Sequence, residues 1–271
     1  MRILRLVVAC ILFRFGGAWV NERTGTLQQR PTPTVSKSST QKKDGALLKF
    51  EIDQVYWSDP LEGNESEILH RFATSTKLRN RLITPHGRVE EFSLPLADLE
   101  VLQSNRRDFL PNIPISMPPS SMRATGLKFT TGAVNFPGLT IESTVQCGVS
   151  PCLDTSSLAD WVVPPYEFNV LETTNTARGS RPMVWLFGKL DTPVSRSLTQ
   201  AGLARRRPDG PLCLRYHSRA RVEFGFHPGL LKALPLPQHR TEALGSQALE
   251  KAVRAEVQSC IKACLPLLQG P

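Results

Sequence analysis

LEKAVRAEVQSCIKAC, residues Leu249–Cys264, places apolar side chains at Leu249, Ala252, Val253, Val257, Cys260, Ile261 and Cys264. The spacing is i, i+3, i+4, i+8, i+11, i+12 and i+15, a single stripe along a helix of 3.6 residues per turn. Glu250, Lys251, Arg254 and Lys262 fall outside the stripe. Followed back to Thr241, the pattern predicts a helix of about six turns. Pro235 and Pro237 end the linker before it, and Pro266 is placed to stop it. A helix with one apolar stripe has to lie on something.

The preceding segments supply a sheet. Along Leu214–Phe226, Leu214, Tyr216, Ala220, Val222, Phe224 and Phe226 share one parity, while Arg215, His217, Arg219, Arg221 and Glu223 share the other. A period of two over that length is an antiparallel strand with one apolar and one wet face. Leu139, Ile141, Val145 and Cys147 alternate with Thr140, Glu142, Thr144 and Gln146 in the same way, and Tyr166, Phe168 and Val170 repeat it. Phe50 and Ile52 open another alternating segment that runs to Trp57, and Met183–Phe187 is apolar on both parities. Ser93–Leu94–Pro95, followed by Leu96, Leu99 and Leu102, predicts a short capped helix with Pro near its first turn. His227–Leu231 makes the crossing from the last strand to the terminal helix. The expected fold is therefore α+β, a curved antiparallel sheet wrapped around a long C-terminal helix.

This arrangement resembles the helix-grip architecture of the START and polyketide-cyclase-like superfamily, in which sheet and helix enclose a hydrophobic cavity. A narrower likeness rests on two motifs. Leu94–Pro95–Leu96–Ala97–Asp98–Leu99–Glu100–Val101–Leu102 resembles the LP-x-x-x-(Y)-x-x-L opening of an uncharacterised family of cyanobacteria and plant plastids. Glu242–Ala243–Leu244–Gly245–Ser246–Gln247–Ala248–Leu249 is similar to that family's E-A-T-G-N-x-x-L lead into the last helix. The resemblance covers roughly residues 90 to 265. It departs where Leu99 replaces the usual aromatic, and where Leu265–Pro266–Leu267–Leu268 replaces a closing Asp-Tyr and Trp. It implies a fold and a compartment, and no biochemical activity.

The N-terminus reads as an address. Met1–Ala18 has basic residues at Arg2 and Arg5, the apolar run Leu6–Phe13, and the small residues Gly16 and Ala18 as a cleavage site. Arg14 ends the run well short of the roughly twenty residues a membrane span needs. Residues 1–18 are read as a signal peptide. Residues 19–46 are rich in Arg, Lys, Ser, Thr, Gln and Pro with only two acids, a transit-like leader expected to be disordered. Signal plus transit, with Trp19 behind the cleavage point, resembles the bipartite plastid leader of algae with secondary plastids. The expected localisation is the plastid; a secreted protein with an N-terminal linker is the alternative. Residues 1–46 hold eight of the 33 Lys and Arg and two of the 24 acids, so +6 of the formal +9 sits there and +3 remains on 47–271. That balance argues against a nucleic-acid partner, whose binding would need a basic folded face. Arg205–Arg206–Arg207 reads as a solvated loop, with an anionic-lipid contact as the alternative. Residues 47–271 are expected to form one domain.

Five cysteines follow the signal peptide: Cys147, Cys152, Cys213, Cys260 and Cys264. An odd, sparse set in a chain of this size is no disulfide framework, and no His or Cys pair stands at zinc spacing. No metal and no cofactor are expected. Asn64–Glu65–Ser66 is a glycosylation triplet if the chain passes the ER. Nucleophile-elbow, P-loop, dinucleotide and HExxH motifs are absent from the sequence. The five histidines stand singly, and Asp53, Asp59 and Glu62 near Trp57 form a carboxylate group or a plain loop.

Three functions follow. The first is a plastid module holding an apolar ligand (a lipid, pigment or isoprenoid) between sheet and helix, in a pocket lined by Tyr166, Phe168, Trp185, Tyr216, Phe224 and Val257. The second is a non-enzymatic assembly factor at the thylakoid membrane surface, with the same fold and a filled core. The third is an enzyme on a hydrophobic substrate, with Tyr216 or a pocket carboxylate as acid.

Overall fold

The computed structural model describes residues 46–85, 88–111, 124–130, 134–136, 139–152, 161–181, 184, 194–226 and 237–270. The leader, most of Met183–Phe187 and the His227–Leu231 crossing lie outside them. The described residues form eight strands, β1 (Ala46–Pro60), β2 (Val89–Ser93), β3 (Thr125–Thr130), β4 (Val134–Phe136), β5 (Leu139–Pro151), β6 (Tyr166–Gly179), β7 (Val194–Arg205) and β8 (Leu212–Phe226), and four helices, α1 (Glu65–Thr74), α2 (Thr76–Arg81), α3 (Leu96–Phe109) and α4 (Gln238–Gln269). The strands make one curved antiparallel sheet in the order β1-β8-β7-β6-β5-β3-β2, with β4 beside β5. The fold is the α+β sheet with a long C-terminal helix that the alternating strands and the terminal stripe imply.

Cross-strand register fixes the faces. Tyr216 opposes Tyr56 on β1 and Ala201 on β7, and Ala201 in turn opposes Tyr166 on β6. These residues point toward α4. Leu48, Phe50, Ile52, Val222 and Leu249 form one buried cluster there, and Phe168, Ala201, Leu203, Leu214, Tyr216, Val257, Cys260, Ile261, Cys264 and Leu268 belong to a second, larger one. The helix stripe is thus the buried side of α4. Each fully buried Leu, Val or Phe contributes about 1.5–3 kcal/mol.

Two local readings are corrected, and one motif gains a structural role. Pro266 does not stop the terminal helix; it sits inside α4, which runs on to Gln269. Proline removes one helical bond, but Leu268 is fully buried and its carbonyl accepts from Arg71 Nη1 at 3.0 Å, so tertiary contacts hold the last turn. The helix after Ser93 is longer than expected, and Pro95, not Ser93, stands at its N-cap without a side-chain bond. Asn64 serves as the N-cap of α1, its Oδ1 accepting from Ser66 N at 2.9 Å, so the Asn64–Ser66 triplet also marks a helix start.

The reverse face differs more. Arg215, His217 and Arg219 point to it, together with Glu167, Asn169 and Gln200. Part of it is covered by α3, whose Leu102 approaches so closely that a Cβ on Gly148 would stand 2.3 Å from Leu102 Cδ1. Where α3 lies on it, the polar side of the sheet is therefore not a wet side.

Candidate functional site

Three regions hold the chemistry available to this fold. The first is the interior between sheet and α4. Phe168 and Tyr216 are each 1% exposed and Val257 is 6% exposed, in one cluster; Tyr166 packs against it, 5.5 Å from the ring of Phe72 and 6.4 Å from that of Phe168. Val257, Cys260, Ile261 and Cys264 of α4 belong to the same cluster. Trp185 lies outside the described residues, as does the side chain of Phe224, whose backbone is in β8. Neither of the two cavities described below is lined by Tyr166, Phe168, Tyr216 or Val257.

The Tyr216 hydroxyl faces the Cys264 thiol and has no oxygen or nitrogen partner among the described residues. Burial, with the nearby Cys260 and Cys264 thiols, pushes its pKa well above the usual tyrosine range. Burial pushes Cys147 and Cys264 up to about 12. All five described cysteines are buried and outside any disulfide among the described residues, behaving as small apolar residues. Beside them Glu256 is pushed up to about 7 by burial.

The second region is a polar network on the reverse face. Glu167, 5% exposed, accepts from Arg106 Nε at 3.0 Å and from Gln200 Nε2 at 2.8 Å. Gln200 Oε1 accepts from Arg219 at 3.4 Å, and Arg219 also donates to His217 Nδ1 at 3.0 Å. His217 Nε2 meets Asp53 Oδ1 at 2.5 Å. Arginine can only donate, so Nδ1 is the acceptor and Nε2 carries the proton: His217 is neutral. Burial, with Arg219 and Arg215 nearby, outweighs Asp53 and lowers its pKa. With both ring nitrogens engaged, His217 has no lone pair left to take a substrate proton. Asn105 and Asn169 extend the network, Asn169 Nδ2 donating to the Leu102 carbonyl at 2.9 Å. A cavity of about 270 Å³ beside it is lined by Asp53, Asp108, Phe109, Arg219 and Arg221, a surface already paired in sign.

Of the two readings left open near Trp57, the carboxylate group does not assemble. Asp53 is drawn to His217 and Arg219, while Asp59 and Glu62 are exposed at the end of β1. No group of three His, Cys, Asp or Glu able to hold a metal occurs among the described residues. The basic triplet also turns inward in part. Arg205 pairs with Glu65 and with the Gly210 carbonyl, and Arg206 donates to the Ser58 carbonyl at 3.2 Å and lies 5.6 Å from the Trp57 ring.

The third region is the edge of β1. Along its first half, α4 side chains stand in for a missing strand. Gln238 Nε2 donates to the Leu47 carbonyl at 2.9 Å, Glu242 Oε1 accepts from Lys49 N at 3.1 Å, and Ser246 Oγ accepts from Glu51 N at 3.1 Å. Steps of four along a helix span about 6 Å and steps of two along a strand about 6.6 Å, so the two ladders match. Gly245 allows the approach: a Cβ there would stand 2.3 Å from Phe50 Cε1. The Glu242–Gly245–Ser246 motif is an edge clamp, a role that spacing alone could not reveal. Beyond Glu51 the clamp ends, and a groove of about 530 Å³ opens between β1 and α4, lined by Val55, Trp57, Arg206, Arg254, Gln258 and Ile261.

No family model matches the chain, and no curated protein matches it. Among solved structures that of Ara h 8.0201 aligns at 17% identity, covering 64% of this chain and 98% of that chain, with a TM-score of 0.14. A score that low carries no argument, so the fold stands on its own strand order and terminal helix: a helix-grip arrangement.

Proposed function

We propose that the chain is a non-catalytic binding and assembly module of the plastid, whose helix–sheet interior is core and whose working surface lies outside it. The observation that supports this reading is the burial of Phe168, Tyr216, Val257, Cys260 and Cys264 in one cluster at 0–6% exposure. Two polar candidates for acid–base work are committed elsewhere, His217 to Asp53 and Arg219 and Glu167 to Arg106 and Gln200. Fusion of residues 1–46 to a fluorescent protein tests the compartment, with plastid import expected and release from the cell refuting it.

One observation favours the second reading, an apolar ligand between sheet and α4. A fully buried hydroxyl without an oxygen or nitrogen partner, as at Tyr216, is the kind of single polar anchor that a lipid, pigment or isoprenoid site uses. Extraction of the natively purified protein followed by mass spectrometry separates the two. A stoichiometric apolar compound supports the ligand reading; its absence, with the domain folded, supports the packed module.

A further inference from the structure

The two halves of β1 are treated differently, and the difference points to a partner. Lys49 and Glu51 turn their N–H groups away from β8, since both donate to α4. Register with β8 is unbroken from Ala46 to Trp57, so the N–H and C=O groups of Asp53, Val55 and Trp57 point outward as well. No side chain of α4 reaches those groups among the described residues, and Val55 is 38% exposed. An open edge of this kind is a template for another strand.

Both charged residues that line the groove are cations, Arg206 and Arg254, with Glu250 paired to Arg254 and close enough to act on Tyr56 of the same lining. Arg254 spends one nitrogen on Glu250 at 2.7 Å and Arg206 spends one on the Ser58 carbonyl, so each keeps further donors. Val55, Trp57 and Ile261 supply apolar wall between them.

We propose that residues Asp53–Trp57 bind an extended acidic peptide segment of a partner protein as an added strand, its backbone paired to β1 and its carboxylate held by Arg206 and Arg254. This deepens the binding-module reading and rests on it. Alternating side chains of the peptide would meet Val55 and Trp57 on one face and Ile261 on the other.

The test uses the full-length chain and a random peptide library displayed on phage, panned in parallel against wild type and Val55→Pro. Proline at position 55 removes an outward N–H and no bond to β8, so the sheet is expected to survive. Arg254→Glu, on the exposed side of α4, is the second variant. Wild type is expected to enrich alternating apolar peptides bearing Asp or Glu. The most enriched peptide, synthesised, should slow amide exchange at Asp53, Val55 and Trp57, and Arg254→Glu should weaken it by about tenfold or more, equivalent to about 1.4 kcal/mol. No enrichment over Val55→Pro, protection elsewhere, or affinity indifferent to Arg254 would overturn the proposal. So would concentration-dependent protection of the same amides without peptide, which would mean that a second copy pairs there. Co-purification of an apolar compound would defeat the packed-module reading and leave the edge measurement unaffected.

Discussion

Gly245→Ala sets two magnitudes against each other. Alanine is favoured over glycine within a helix by about 1 kcal/mol, so propensity alone forecasts a more stable protein. The tertiary structure forecasts the reverse. The added Cβ would lie 2.3–2.6 Å from three atoms of the Phe50 ring, where ordinary contact begins near 3.4 Å, so something must yield by about 1 Å. Phe50 is 3% exposed and enclosed by Leu48, Ile52, Val222 and Leu249, which leaves the ring little room to turn. If α4 backs away instead, the Lys49–Glu242 and Glu51–Ser246 bonds, both 3.1 Å, lengthen past hydrogen-bonding range. Overpacking costs about 1–3 kcal/mol and the two lost bonds together about 2 kcal/mol, so by either route the net result after the propensity gain is a loss of about 1 kcal/mol. Urea unfolding of wild type, Gly245→Ala, Phe50→Leu and the double variant would measure it as a cycle. In the Phe50→Leu background the alanine should cost little or stabilise. A Gly245→Ala protein that melts higher than wild type would refute the close approach and the edge clamp with it.

Val257→Asp places an unpaired charge in the cluster with Tyr216 and Ile261; it should cost several kcal/mol and abolish the cooperative thermal transition, checked by circular dichroism. Arg106→Met leaves the buried Glu167 carboxylate without its cation and should destabilise by about 3 kcal/mol, whereas the double variant with Glu167→Leu should recover most of that in urea melts. Glu256, raised from 4.5 to about 7 in the folded chain, contributes stability that is fully present below pH 4.5 and lost as pH rises through about 7. Glu256→Gln should therefore stabilise at pH 8 by up to about 3 kcal/mol and be near neutral at pH 4.5, read from paired unfolding curves at the two values. An equal effect at both would place the cause in packing.

What the chain dictates by itself is its periodicity. The stripe from Leu249 to Cys264 and the alternation from Leu214 to Phe226 each state which side of an element must leave water, and Val257, Ile261, Tyr216 and Val222 are buried as that requires. Those signals are local, because burial of one face imposes its own period on the residues next in line. The polar parity of β8 was equally legible, but not its fate. Only packing could show that α3 lies over Glu167 and Asn169, or that Asp53 meets His217, 164 positions further along the chain. The same holds for the end of α4, where Pro266 is a stop by its chemistry and an interior residue because Arg71 and the buried Leu268 hold the last turn. The Gly245 motif was visible as letters. Its meaning depends on β1 lying at the sheet edge, with outward amides at a spacing that Glu242 and Ser246 can meet, and edge position belongs to the whole strand order.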